Sequence, residues 1–529
     1  MTFIKSMLGA AVLALVCAPV SSAMAFCGFY AGKADASLFN EASQVVIARD
    51  GKRTVLSMLN DYKGPLNQFA LIVPTPVVLQ QGQVRIAERA SFERLDAYSS
   101  PRLAEYHDAD PCQFSFYWGE GIERIQPMAV MSAPAPAPSG SARDRALGVK
   151  VEAKYTLEEY DIVSLSAKKS DGLEIWLREN AYKIPKGTSE ALRPYINQGM
   201  KFFVAKVNLK EQLKTGYTHL RPLQFAFESE KFMLPMRLGM LNAAPGKQQD
   251  LIIYMLTRQG RVESSNYRTA YLPANKNLPP FIKTRFQDFY KAMFDNSTKL
   301  EDYRVVFTEY FWDMSWCDPC ADTPLSRDEL RKAGVFWVDG DADQGFAMMQ
   351  KPASGQNFPV VSSTSGAQQA MLTRLHVRYT PKSFPEDLMF TQTQDKQNWQ
   401  ARYIIQNPYA GNVAECSERV GKYECESMCK ERVPLVLRSE NKKEEWFPAE
   451  YKNKGWAELQ QQCVRACKAS KLNAIKTATD YYRRDLPERV INEKQTLANL
   501  TGWAMAEIDA MPGAKLQSTG ALEVSKSQK

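Results

Sequence analysis

The distribution of cysteines constrains the fold of this chain more than any other feature. Ten cysteines occur in 529 residues, and five of them lie between Cys416 and Cys467. Cys425 and Cys429 are four residues apart, as are Cys463 and Cys467, so each pair lies on one face of a helix. Two antiparallel helices would place Cys425 opposite Cys467 and Cys429 opposite Cys463. This spacing predicts a helical hairpin joined by two disulfides, each contributing about 3 to 4 kcal/mol.

The same four thiols could instead bind a zinc ion as a four-cysteine site. Exported proteins more often oxidise such a set, so we favour the disulfides and expect neither a metal nor another cofactor. Cys416 is then the candidate for an unpaired cysteine, either buried and inert or bonded to another chain.

The first 25 residues predict export. Lys5 precedes an apolar run over 7–16, and small residues at Ala23 and Ala25 are typical of a signal-peptidase site. Cleavage there would remove Cys17 and leave nine of the ten cysteines. No later apolar run approaches the roughly 18 to 20 residues that span a bilayer. We therefore expect a periplasmic or extracellular protein whose mature chain has no transmembrane segment.

The remaining composition predicts an α+β fold with several parts. After a signal peptide over 1–25, a β-rich domain is expected over 26–126 and a Pro/Ala-rich linker over 127–148. A second, α+β domain is expected over 149–410, and a helical cysteine-rich region over 411–529. The prediction is two β-rich mixed domains followed by the disulfide-stapled helical hairpin tail.

Cys27 and Cys112 flank the predicted N-terminal domain. Cys27 lies just inside the expected mature N-terminus, and Cys112 follows a predicted helix. A bond between them would tie the free end of the chain to this domain, and we favour that pairing.

The run Trp316–Cys320 is similar to the Trp-Cys-Gly-Pro-Cys centre of thioredoxin-like proteins, with Asp318 in place of glycine. In a redox centre, Cys317 would attack a substrate disulfide and Cys320 would resolve the mixed disulfide. The next helix is predicted to begin only at the cap Ser326, so the cysteines lack a helix N-terminus, and the Asp318 charge would raise a thiolate pKa. We therefore favour a structural disulfide, with the redox pair as the alternative.

Charge and histidine content argue against several classes of site. The net charge of +8 comes from 67 basic and 59 acidic residues with signs interspersed, which does not indicate a nucleic-acid surface. The three histidines, His107, His219 and His376, offer few ligands for a multi-histidine metal site. His376 alternates with Arg374 and Arg378 on a predicted strand. One face of that strand could bind an anion, but we favour a solvated basic face.

Several local strings together resemble an exported bacterial family known as domain of unknown function 2330, over about residues 26–410. The strings are Cys27–Tyr30, Phe69–Pro76, Trp176–Pro185, Lys201–Val207, Phe232–Gly239, Trp316–Cys320 and Phe384–Leu388. The resemblance implies a bacterial extracytoplasmic protein and transfers no activity to particular residues.

These observations predict a non-enzymatic exported protein with a binding or cell-envelope structural role. No catalytic residue is assigned, and another envelope protein is one candidate partner. The alternative is a thiol-disulfide oxidoreductase that uses the Cys317 and Cys320 pair.

Overall fold

The computed structural model of the protein describes residues 29–32, 39–63, 69–114, 149–179, 184–215, 220–242, 248–316, 318, 323–338, 370–438 and 455–515. The predicted signal peptide over 1–25 and the predicted linker over 127–148 lie outside these residues. So do three of the candidate cysteines, Cys27, Cys317 and Cys320.

In the part of the chain that the structure describes, the strands all lie before residue 410. They are β1 (Phe29–Gly32), β2 (Phe39–Asp50), β3 (Arg53–Lys63), β4 (Phe69–Thr75), β5 (Val84–Ile86), β6 (Arg102–His107), β7 (Val149–Leu157), β8 (Tyr160–Ala167), β9 (Lys201–Val207), β10 (Leu223–Glu228), β11 (Met233–Leu234), β12 (Gln249–Thr257), β13 (Val262–Ser264), β14 (Arg268–Tyr271), β15 (Lys276–Leu278), β16 (Val305–Asp313), β17 (Met371–Tyr379), β18 (Leu388–Gln392), β19 (Trp399–Gln400) and β20 (Arg402–Asn407).

Helices connect these strands and make up the C-terminal region. They are α1 (Arg89–Ser99), α2 (Ser170–Glu179), α3 (Thr188–Asn197), α4 (Leu209–Thr215), α5 (Phe286–Leu300), α6 (Arg327–Lys332), α7 (Val413–Gly421), α8 (Cys425–Arg438), α9 (Trp456–Asp480), α10 (Leu486–Thr501) and α11 (Met505–Asp509). A five-residue π-helical segment, Tyr481–Asp485, joins α9 to α10 without a break.

The predicted α+β class is confirmed by the arrangement of the strands. A mixed nine-stranded sheet has the order β14-β16-β17-β12-β2-β3-β10-β5, with β19 also paired to β16. An antiparallel five-stranded sheet has the order β1-β4-β9-β8-β7, and two three-stranded sheets are β11-β18-β13 and β15-β20-β6. The sheets precede a helical C-terminal segment.

Local sequence explains the β2–β3 hairpin. Asp50 pairs with Arg53 across the turn, so only Gly51 and Lys52 connect the strands. Gly51 has a φ of 58°, which a glycine adopts without the steric cost that a side chain would add. The Asp-Gly dipeptide therefore fixes the hairpin turn at Gly51 and Lys52.

The predicted division between 26–126 and 149–410 does not coincide with separate sheets. In the nine-stranded sheet, β2 pairs with β12 and β3 pairs with β10. In the five-stranded sheet, β4 pairs with β9. Both large sheets therefore combine strands from the two predicted domains. Pairing between distant strands satisfies the backbone hydrogen-bonding groups that local hairpins leave unpaired at strand edges.

The two large sheets pack face to face. Their shared core contains Val45 and Ile253 from one sheet and Leu71 and Phe203 from the other. Helices α2 and α3 cover the outer face of the five-stranded sheet. Helices α1 and α6 cover part of the outer face of the nine-stranded sheet, and α5 covers another part beside the β15-β20-β6 sheet. Central strands are therefore enclosed on both faces.

The C-terminal helices form a disulfide-bonded tail. Bonds join Cys425 to Cys467 and Cys429 to Cys463, the pairing that the four-residue spacing predicts. Both bonds are buried between α8 and α9. Helix α10 packs against α5 and β15, which brings the end of the tail back to the sheets.

Candidate functional site

A cluster of buried charges lies on the outer face of β17. Arg374, His376 and Arg378 alternate along this strand and point away from the sheet core, because Leu375 and Val377 belong to that core. The prediction of a solvated basic face is wrong for the first two residues. Arg374 is 4% exposed and His376 is 7% exposed, since helices cover this face of the sheet.

The neighbouring strand β16 supplies the central carboxylate, Glu309. The pairing of β16 with β17 shifts register between Thr308 and Tyr310, so Glu309 occupies a β-bulge. Its backbone carbonyl accepts a hydrogen bond from the amide of Ala401 in a 2.8 Å contact. Bulges redirect side chains within a sheet, and Glu309 is 0% exposed.

Three donors converge on the Glu309 carboxylate. Arg374 Nε donates to Oε2 at 2.5 Å, and His376 Nδ1 lies 2.6 Å from Oε1. The hydroxyl of Tyr290, on α5, also donates to Oε1. One carboxylate therefore holds two strands and a helix together.

The cluster extends to four further charged groups. Arg374 Nη1 donates to Asp96 on α1 at 2.6 Å. Arg378 binds Asp250 on β12 through two nitrogens, at 2.6 and 2.7 Å, and also binds Asp295 on α5. Each cation therefore faces at least one carboxylate, and the network links α1, α5 and three strands of the sheet.

Opposite charges within the cluster favour the ionised forms of Glu309 and His376. Burial acts to raise the pKa of Glu309, but His376 and Arg374 outweigh burial and lower that pKa to about 2. Burial acts to lower the pKa of His376, yet Glu309 and Asp250 raise it above its ordinary value. The imidazole also stacks on Phe294 with ring centres 3.8 Å apart. A general base must reach a substrate, and this enclosed imidazole, held between Glu309 and Phe294, suits a structural ion network instead.

Sequence reasoning missed Glu309. The available signal was a lone carboxylate over 305–312, where the other residues are apolar or aromatic except Thr308, together with the alternating cations over 374–378. Neighbouring buried strands with opposite charges indicate an internal ion network, but strand adjacency was not predicted.

The Trp316–Cys320 run is anchored by its central residue. Asp318 is buried, and its carboxylate accepts hydrogen bonds from Tyr310 and Gln400, each at 3.0 Å. Trp316, two residues earlier, is 60% exposed. The thiols of this run lie outside the described residues, so their predicted bond stays a prediction.

The helix after this run begins where the sequence predicts. Ser326 caps α6 and accepts a hydrogen bond from the amide of Glu329 at 3.2 Å, while the Glu329 carboxylate binds the Ser326 amide at 2.6 Å. This reciprocal capping box fixes the start of α6 at Arg327.

A short segment after β6, Asp108–Phe114, connects the sheets to the tail and is here called the clasp. Asp108 accepts hydrogen bonds from Arg489 on α10 at 2.8 and 2.9 Å. Asp110 binds Arg419 on α7, with nitrogen–oxygen distances of 2.8 and 2.9 Å. Two ion pairs therefore hold two different tail helices.

The clasp is also bonded covalently to the tail. Cys112 forms a disulfide with Cys416 on α7 across 304 positions of sequence. Beyond it, Phe114 packs on Tyr423 with ring centres 4.6 Å apart. Every second residue from Asp108 to Phe114 thus contacts the tail.

This disulfide corrects two predictions. Cys112 was expected to bond to Cys27, and Cys416 was expected to be unpaired. The physical reason lies in β6 and β20, which run parallel with His107 opposite Asn407, so both strands end at the same edge. The segments that follow β6 and β20 therefore lie close together, and Cys112 and Cys416 form their bond there.

A polar cavity of about 530 Å³ lies beside the clasp. Its charged lining residues are Asp108, Asp110, Asp480, Arg484 and Asp485. Arginines already bind these carboxylates. Arg489 binds Asp108, and Arg419 binds Asp110. Arg484 binds both Asp480 and Asp485. The cavity is therefore a polar cleft of paired charges.

Among the described residues, no group of three or more His, Cys, Asp or Glu side chains is arranged to hold a metal ion. Within the same part of the chain, every helix is too short or too polar to cross a bilayer.

Comparison with known proteins gives one match. A family model described as an uncharacterized protein conserved in bacteria (DUF2330) matches residues 21–391, which is more than half of the chain. No curated protein and no solved structure matches. The resemblance seen in the sequence is thereby confirmed. Cys112 lies inside the matched region and Cys416 lies beyond it.

Proposed function

The chain belongs to the uncharacterised bacterial family DUF2330, and from that premise we propose that it is an exported, disulfide-stabilised protein that acts by binding. The observation that carries this proposal is the set of three disulfides in the described residues, one of which joins the sheets to the tail. Such bonds persist in oxidising compartments such as the periplasm or the cell surface. The apolar leader over 1–25 supports the same location.

The state of the ionisable groups favours binding over catalysis. The cluster of such groups around Glu309 is enclosed by helices, and its charges are paired internally. A catalytic site must admit a substrate, whereas an enclosed ion network holds secondary structure in place. We assign the cluster to the scaffold.

The helical tail is the proposed binding element. Leu472, on α9, is 69% exposed, and Trp456 at the start of the same helix is also exposed. Large apolar side chains on a rigid helix are suitable anchors for a protein partner. The two bonds between α8 and α9 would hold these anchors in fixed positions, and the expected partner is another envelope protein.

Site-specific photo-crosslinking in intact cells tests the binding role. A photoreactive amino acid replaces Leu472 or Trp456 on the tail, and Ile175 on α2, 52% exposed, serves as the matched control. The proposal expects one discrete adduct from the tail positions and none from the control. An absence of adducts at both tail positions, or equal adducts at Ile175, would contradict it.

Cell fractionation tests the location separately. The complete chain should be recovered in the envelope or medium, and a chain lacking residues 1–25 should stay in the cytoplasm. Recovery of the complete chain in the cytoplasm would remove the basis for the proposed compartment.

A second candidate function is thiol-disulfide exchange by the Cys317 and Cys320 pair. The observation that favours it is the local setting: Trp316 is exposed immediately before the pair, and Asp318 fixes the run to the sheet through Tyr310. An exposed site on a rigid base is a requirement for attack on a protein disulfide.

An insulin-reduction assay separates the two functions. An oxidoreductase would lose activity on Cys317→Ser and keep it on Cys112→Ser, which changes a disulfide elsewhere. If the wild-type chain is inactive and Cys317→Ser merely melts earlier, the pair is structural and the binding role stands.

A further inference from the structure

One buried carboxylate in the tail lacks a hydrogen-bond partner. Glu493 lies in the middle of α10 and is 2% exposed. Neither of its carboxylate oxygens has a hydrogen-bond partner among the described residues. Glu493 forms an ion pair with Arg489, one turn earlier, whose Nε lies 3.5 Å from Glu493 Oε1. A buried charge in this position is costly unless it is compensated.

Arg489 is already committed to another carboxylate. Its two terminal nitrogens donate to Asp108 of the clasp at 2.9 and 2.8 Å. Tyr481, in the π-helical segment, donates to the same carboxylate. One guanidinium therefore faces two carboxylates, Asp108 and Glu493, and the interface carries an excess negative charge when both are ionised.

Among the described residues, no cation other than Arg489 is paired with Glu493. The charges that act on Glu493 are those of Arg489 and Asp108. Lys494, the next residue, is bound to Asp509 on α11 at 2.6 Å. From α5, Asn296 binds backbone carbonyls near the end of α10, and β15 contributes the apolar Leu278 to the shared core.

This geometry gives Glu493 an unusual affinity for a proton. Burial raises the pKa of Glu493 to about 7, while Arg489 acts to lower that pKa and Asp108 acts to raise it. A carboxyl whose pKa is higher in the folded state than in the unfolded state favours folding less as pH rises. The stabilisation that the protonated carboxyl contributes to folding begins to fall near the unfolded pKa of about 4.3, and the fall is complete above pH 7.

We propose that Glu493 is a proton-dependent latch, which holds α10 against the sheets when its carboxyl is protonated and loosens that contact when the carboxyl ionises. The contact involved is the one that Arg489 and Asp108 make between the tail and the clasp. An exported protein is exposed to the pH of its surroundings, so the latch would make the position of the tail respond to alkalinisation.

Hydrogen–deuterium exchange of the mature full-length chain tests the latch. The opening constant of α10 is measured at pH 5.5 and pH 8.5 after correction for the intrinsic pH dependence of amide exchange. For a pKa near 7 in the docked state, the wild-type constant should rise about 30-fold between these pH values. Glu493→Gln should abolish that rise, because glutamine does not ionise.

Glu488→Gln is the matched control, since Glu488 is an exposed glutamate on the same helix. This variant should keep the wild-type rise. Equal pH dependence in Glu493→Gln and the wild type would overturn the proposal, as would a wild-type opening constant that does not change with pH.

A titration of the wild-type chain covers the case in which Glu493→Gln does not fold. Infrared spectroscopy distinguishes the carbonyl band of a protonated buried carboxyl from that of a carboxylate. A buried-carboxyl band that disappears with a midpoint near pH 7 supports the latch. A spectrum without such a band at pH 5.5 would overturn it.

Discussion

Removal of the clasp disulfide should destabilise the protein more than removal of a hairpin disulfide. The perturbation is the double substitution of Cys112→Ala and Cys416→Ala. This bond closes a loop across 304 positions, and neither hairpin bond shortens that loop. In the loop-entropy model, a crosslink of this span contributes about 5 to 6 kcal/mol to the free energy of unfolding.

The matched comparison is the outer hairpin bond, removed by Cys425→Ala with Cys467→Ala. Its separation is 42 positions, but the inner bond between Cys429 and Cys463 lies within that span. With the inner bond intact, the outer bond closes a ring of only about ten residues. The same model gives about 2.5 kcal/mol for a ring of that size.

Urea unfolding under non-reducing conditions measures both losses. Far-ultraviolet circular dichroism and tryptophan fluorescence should each give the midpoint, and linear extrapolation gives the free energy in water. The clasp variant should lose about twice as much stability as the outer-hairpin variant. An equal or smaller loss in the clasp variant would refute the argument from loop length, and with it the view that the clasp locks the tail to the sheets.

Three further substitutions test the scaffold. Glu309→Gln leaves its two cationic partners buried without their shared carboxylate and should cost about 3 to 5 kcal/mol in urea unfolding at pH 6. Because the pKa of Glu309 is lowered to about 2, the loss of stability relative to the wild type should shrink as pH falls from about 4.5 towards 2. A loss of stability that does not change with pH would contradict the ion network. Gly260→Ala should lower the melting temperature far more than Gly51→Ala. Both glycines have positive φ, but only at Gly260 would a Cβ collide with a backbone carbonyl, that of Thr393. Equal decreases in melting temperature would count against this packing. Asp318→Asn places an amide NH₂ group where the carboxylate now accepts two hydrogen bonds and should cost about 1 to 3 kcal/mol in the same unfolding assay, whereas no loss would show that Asp318 does not anchor its run.

Features encoded over a few residues could be predicted from the sequence. The spacing of Cys425 and Cys429 predicts a shared helix face, because helical geometry places residues four apart on one side. The dipeptide Asp50-Gly51 predicts a tight hairpin turn, and Ser326 predicts a helix start. In each case the interactions that determine the local structure lie within about five consecutive residues.

Features that depend on long-range pairing could not be predicted in this way. The partner of Cys112 is set by the parallel alignment of β6 with β20, two strands about 300 positions apart. The burial of Arg374 depends on α1 and α5 covering the sheet. Its partner Glu309 lies on β16, and the sequence did not predict that β16 pairs with β17. A strand pattern alone does not reveal which strands become adjacent.

The latch and the clasp meet at one ion pair. Asp108 belongs to the clasp and Arg489 to α10, and the buried carboxyl of Glu493 lies beside that pair, with one oxygen 3.5 Å from Arg489 Nε. The covalent bond at Cys112 would limit how far the tail can move when Glu493 ionises. The two devices therefore act on the same contact, one fixing its position and the other adjusting its strength.

A disulfide map of the protein isolated from bacterial cells tests directly whether the clasp is joined covalently to the tail. Thiols are blocked on lysis, and peptides are analysed by mass spectrometry without reduction. We expect a crosslinked peptide joining Cys112 to Cys416, together with the two hairpin crosslinks. A crosslink between Cys112 and Cys27, or a blocked free thiol at Cys416, would contradict it.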